Sequence, residues 1–112
     1  MKKTKVAYSD FQKLDIRVGE IKEASFLEGS RNIIVLKVDL GEDYGLVEIL
    51  SGIANDYKAE KLIGKKYAFL ANLEPKKILG RYSCGMILAS DVSGKAVISP
   101  IGKKVPNGTI IR

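Results

Sequence analysis

The spacing of apolar residues constrains this chain more than any other feature of it. Leu14–Ile21 alternates apolar and polar side chains and loses phase at Gly19, the pattern of a strand re-aimed by a glycine bulge. Ile33–Leu40 is rich in β-branched residues and reads as a second strand with much of both faces covered. Gly41–Gly45 closes a hairpin onto a third run, Leu46–Leu50. The pattern then changes, because Asn55–Ile63 carries strong helix formers, a capping-type Asn/Asp at its head and Gly64 past its end. It predicts a helix of about two turns. Strand character returns at Lys66–Leu73 and again at Met86–Ser90, with a basic loop bracketed by Pro75 and Gly80 between them. Short extended pieces follow to Arg112.

Three strands, one short helix and two more strands is the order of an OB fold. The expectation is therefore an all-β chain: a five-stranded OB barrel, a short helix between strands three and four, and extended N- and C-terminal additions. An SH3-like barrel is the rival and has less room for a helix at that point. The 112 residues predict one domain spanning 1–112, large enough for a single core. No apolar run approaches the ~20 residues of a membrane helix. The basic start, Met1–Tyr8, has no apolar segment behind it, so a secretory signal is not expected and the cytoplasm is the default compartment.

The inventory of reactive side chains narrows function. Histidine is absent and Cys84 is the lone cysteine. An internal disulfide is thereby excluded, and the commonest general base and most structural zinc ligands are missing. No phosphate loop or nucleophile–base spacing is visible, so the expectation is a non-enzyme with no cofactor or metal. Charge points elsewhere. Residues 1–56 hold eight Lys/Arg against ten Asp/Glu, whereas residues 57–90 hold seven basic side chains against Glu60 and Glu74. Such asymmetry fits a polyanion-facing surface, and equally a lysine-rich solvated exterior. Lys76, Lys77 and Arg81 share one Pro/Gly-framed loop where their heads can converge on phosphates, and Tyr82 could stack on an unpaired base.

Five segments carry a resemblance: Asp15–Gly19 (DIRVG), Val38–Gly41 (VDLG), Ser51–Ala54 (SGIA), Asn72–Gly80 (NLEPKKILG) and Ser83–Met86 (SCGM). In this order and spacing they resemble the structure-specific tRNA-binding domain found at the C-terminus of many methionyl-tRNA synthetases. That domain also occurs as a stand-alone tRNA-binding protein and in CsaA-type secretion chaperones. The resemblance runs from about Asp10 to Arg112. It implies an OB fold, a homodimer in stand-alone members, and non-catalytic binding to the outside corner of tRNA, in trans with or beside methionyl-tRNA synthetase. A CsaA-like chaperone for unfolded preproteins is the alternative. By resemblance, Asn72, Lys76, Lys77, Ser83 and Met86 are candidate RNA contacts; with Arg31, Lys37, Arg81 and Tyr82 they make up the expected site. The expected partners are tRNA, a second copy docked through terminal segments bearing Phe11, Val105, Ile110 and Ile111, and a methionyl-tRNA synthetase, with no membrane.

Overall fold

A computed structural model describes all residues, Met1–Arg112. The chain runs α1 (Tyr8–Phe11), β1 (Ile16–Phe26), β2 (Ile34–Asp39), β3 (Leu46–Ser51), a 3-10 turn (Ala59–Lys61), β4 (Lys66–Leu70), β5 (Lys76–Ile78), β6 (Arg81–Ser83), β7 (Met86–Ile87), β8 (Ser90–Val92), β9 (Lys95–Val97) and β10 (Ile110–Ile111). Five strands form one antiparallel path, β3–β2–β1–β4–β7, with β10 added to the start of β1. The long β1 pairs through Ile16–Glu20 with β4 and through Glu20–Phe26 with β2, so one strand serves both halves of the barrel. The gap between β7 and β3 is bridged by residues 83–84: the Leu50 N–H donates to Ser83 Oγ at 3.0 Å and the Cys84 N–H to the Glu48 carbonyl at 2.9 Å. This is the expected all-β, OB-like barrel. No helix is long and apolar enough to cross a membrane.

Alternation decides what fills it. Leu36, Val38 and Leu40 of the β2 run, Ile49 of β3, Tyr67 and Phe69 of β4 and Ile87 of β7 point inward and are buried in one cluster. Burying each such side chain contributes about 1.5–3 kcal/mol. Gly19 sits among them, paired in unbroken register with Tyr67. A Cβ there would lie 2.6 Å from Val38 Cγ1 and 2.8 Å from both Leu40 Cδ2 and Phe69 Cδ2. The expected bulge at Gly19 is thus replaced by close packing. The register shift lies between Ile21 and Glu23, where Lys22 is the extra residue.

Other expectations change for local reasons. The helix anticipated over 55–63 is reduced to the single 3-10 turn. Lys58 is extended (φ −88°, ψ 132°), and the Asn55 N–H is taken by Asn32 Oδ1. Buried Ile53 and Leu62 anchor the segment at both ends, and Tyr57 Oη accepts the Ile98 N–H, so tertiary contacts override helix propensity. The anticipated basic loop at 76–81 is a two-stranded hairpin, with Leu79 (φ 48°) and Gly80 (φ 82°) forming its two-residue turn. Positive φ at both central positions is the type I′ geometry that matches strand twist.

One end of the barrel is fastened by an ionic cluster. Arg17 donates to Asp15 at 2.6 and 3.1 Å, to Asp43 at 3.0 Å and to the Gly108 carbonyl at 3.1 Å, while Tyr44 donates its hydroxyl to Asp15. The Arg17 hydrogen bond, reinforced by Tyr44, holds the Asp15 carboxyl below the usual carboxylate range, against the opposing pull of burial. A depressed folded-state value means that this contribution is present above the unfolded-state value and is lost as pH falls through the folded one. Asp15→Asn is expected to lower stability by about 2 kcal/mol at neutral pH. It should also flatten the acid limb of a plot of thermal midpoint against pH; an unchanged acid limb would rule out this origin.

Candidate nucleic-acid interface

The β5–β6 hairpin stands on β3 and has two faces. Register pairs Lys76 with Ser83, Lys77 with Tyr82 and Ile78 with Arg81, so residues in each pair share a face. Ser83 and Arg81 face the barrel. Ser83 is 5% exposed, and its hydroxyl accepts the Leu50 N–H and donates to the Gly85 carbonyl at 3.1 Å. Its hydrogen-bonding capacity goes into seating the hairpin. Lys77 and Tyr82 face away, the ammonium 6.0 Å from the ring centroid, and Tyr82 is more than half exposed. A cation over an exposed aromatic ring offers a phosphate contact and a stacking surface side by side.

The outer face of β2 and β3 adjoins this hairpin. Val35 lies opposite Leu50, Lys37 opposite Glu48 and Asp39 opposite Leu46. Arg81 reaches from the hairpin onto Glu48 with two parallel bonds, Nε to Oε2 at 2.8 Å and Nη2 to Oε1 at 2.6 Å. That hydrogen bond depresses the Glu48 carboxyl, against burial, and raises the Arg81 guanidinium. Arg31 projects from the β1–β2 loop. Arg31, Lys37, Lys76 and Lys77 enter none of the chain's five ion pairs. Met86 is exposed on β7 opposite Leu70. The half-buried Cys84 is a free thiol in the segment that closes the barrel.

Asn72 stands apart from these. Its Oδ1 accepts the Asp15 N–H at 2.8 Å and its Nδ2 donates to the Lys13 carbonyl at 2.7 Å, clipping the N-terminal segment to the end of β4. Both ends of the amide are engaged. Asn72→Ala is expected to cost about 1–2 kcal/mol and to speed hydrogen exchange at Asp15. RNA affinity should change less than twofold, and a larger drop would make Asn72 a direct contact. Arg81 and Ser83 are thus held against β3 beside Lys37, Lys77 and Tyr82 share the hairpin's opposite face, and Arg31 and Met86 stand on the β1–β2 loop and on β7. Sequence reasoning missed Glu48, whose pairing with Arg81 spans 33 residues. The run Leu46–Leu50 reads as a strand, but nothing local to Glu48 discloses its partner.

Known proteins resemble this chain in sequence and in fold. A family model described as "Putative tRNA binding domain" matches residues 16–110. The chain is 45% identical over 107 residues to a methionine–tRNA ligase of Archaeoglobus fulgidus, covering 96% of this chain and 16% of that protein. It is 46% identical over 106 residues to the Helicobacter pylori methionine–tRNA ligase, again with 16% of the relative covered, so the chain spans about a sixth of these relatives' length. Among solved structures, a MetRS-related protein from Pyrococcus horikoshii superposes with a TM-score of 0.92 at 32% identity, covering 98% of this chain and 100% of that one. The CsaA chaperone from Bacillus anthracis superposes with a TM-score of 0.86 at 29% identity, covering 97% and 100%. The five motifs, the barrel that carries them and the matched span lead to one conclusion: this chain belongs to the tRNA-binding domain family.

Proposed function

We propose that this chain binds folded tRNA at its outside corner, without catalysing a reaction, and works in the cytoplasm in trans with or beside a methionyl-tRNA synthetase. The observation that carries this reading is Lys77 over the exposed Tyr82 ring on a hairpin that Ser83 seats on β3, with Lys76 on the hairpin's other face and neither lysine in an ion pair. Lys76, Lys77, Lys37 and Arg31 neutralise backbone phosphates, Tyr82 stacks on an accessible base, and Met86 packs against ribose. Asn72 and Ser83 act by holding the segments that carry these side chains. A filter-binding comparison of folded tRNA with an RNA hairpin of equal length tests the reading. Clear preference for tRNA is expected; equal weak binding to both would end it.

A chaperone reading has its own observation. Tyr8, Phe11, Leu14, Ile110 and Ile111 line a groove of about 400 Å³ between α1 and β10, completed by Gln12, Lys13, Asp15, Asn72 and Arg112. The apolar side chains along this mixed groove suit an unfolded polypeptide or a second copy of this chain better than a polyanion. We favour the second copy, since both walls come from terminal segments with exposed Phe11 and Ile110. Ile110→Glu is expected to convert a dimer into monomers in analytical ultracentrifugation. A wild-type monomer would remove the dimer, and a preprotein that competes with tRNA would move the chain toward the chaperone reading.

A further inference from the structure

The hairpin does not need an ion pair to stay on the barrel. Ser83 Oγ and the Cys84 N–H already tie it to β3, and Gly85 packs with Ile49 and the Leu70 carbonyl. Exposed ion pairs add little stability in any case. Glu48 nevertheless holds Arg81 through both carboxylate oxygens and faces Lys37 across the β2–β3 register. Glu23 flanks Lys37 from β1. The row Glu23–Lys37–Glu48–Arg81 therefore alternates in sign across four strands, on a wall whose remaining cations are unpaired. A two-pronged carboxylate occupies the same N–H directions on Arg81 that a phosphate would take.

We propose that Glu48 is a specificity-determining residue of this wall: it stands in for a phosphate on Arg81 and withholds that guanidinium from any polyanion not already fixed by Lys76 and Lys77. The proposal rests on the tRNA reading above and deepens it. A flexible single strand that meets Arg81 must displace Glu48 and order its own backbone at the same step. A folded RNA docked on the hairpin presents its next phosphate at high effective concentration, so the exchange falls within one binding event. Glu48 thereby favours rigid RNA over flexible RNA.

The test measures binding of folded tRNA and of a single-stranded oligouridylate to wild type, Glu48→Gln, Arg81→Gln and the double variant. Glutamine keeps the shape of Glu48 and one oxygen for Arg81, and thermal midpoints check folding. Glu48→Gln is expected to tighten oligouridylate binding about tenfold, the worth of one charge-assisted hydrogen bond, and to steepen its salt dependence by about 0.7. For tRNA the gain should be about threefold or less, so discrimination shrinks, and adding Arg81→Gln should cancel both gains. Unchanged or weaker oligouridylate binding by Glu48→Gln would overturn the proposal, leaving Glu48 a structural partner. Wild type that fails to prefer tRNA would remove the tRNA reading instead. In that case the Arg81 Nε–H resonance, titrated with inorganic polyphosphate, still decides the point: movement at lower concentration in Glu48→Gln than in wild type supports withholding, and identical titrations overturn it.

Discussion

Reversing the two hairpin lysines together, Lys76→Glu with Lys77→Glu, is expected to weaken binding to folded tRNA about a hundredfold, roughly tenfold for each ammonium–phosphate pair removed. The hairpin should keep its shape, because its seat depends on Ser83 and Cys84 and not on these ammonium groups. Both lysines are exposed and carry no salt bridge, so reversal breaks no native ion pair. The salt dependence should flatten by about 0.7–0.9 per phosphate neutralised, or about 1.4–1.8 for both. Filter binding at several salt concentrations measures affinity and slope in one series. Weaker affinity with an unchanged slope would mean that the lysines act by some route other than phosphate neutralisation.

The largest effect on stability is expected from Gly19→Val. Val38, Leu40 and Phe69, the three side chains a Cβ would strike, are all fully buried, so none can swing into solvent to make room. Overpacking by a few atoms costs about 1–3 kcal/mol. A branched side chain at a position that excludes even one methyl should reach the top of that range or pass it. Gly19→Ala should fall lower on the same scale. Denaturant unfolding of both variants checks the order, and a Gly19→Val variant as stable as wild type would mean that the barrel is looser than its packing indicates. tRNA affinity of whatever fraction stays folded should be near wild type, because Gly19 faces away from the proposed wall.

The barrel was largely legible in the sequence because its strands stand out as apolar and β-branched runs divided by turn residues. The Ile33–Leu40 run has much of both faces covered, as its β-branched content implies, and it supplies Leu36, Val38 and Leu40 to the cluster that Tyr67 and Phe69 of β4 complete. What escaped is what pairing decides. Gly19 and Lys22 lie three residues apart, yet the glycine is packed and the lysine is the bulge; only the register against β2 distinguishes them. Asn55–Ile63 has helix-forming residues, but the hold of Asn32 on the Asn55 N–H and of Ile98 on Tyr57 could not be read locally. The hairpin at 76–83 was hidden by Leu79, an uncommon residue at positive φ. In the candidate site the cations were visible as a charge excess. Their sorting was not: Arg81 is spoken for by Glu48 while Lys76 and Lys77 stay free, and this follows from how the separate β5–β6 hairpin packs on β3.

The central claim is that folded RNA meets the wall built from β2, β3 and the β5–β6 hairpin. Titrating unlabelled tRNA into the isotope-labelled protein and following its backbone amide resonances tests that claim directly. The earliest and largest changes are expected within residues 31–37, 48 and 76–86, with Val92, Gly94 and Val97 of the β8–β9 hairpin unmoved. Changes concentrated on β8–β9 or on the α1–β10 groove, with Lys76 and Lys77 silent, would contradict it.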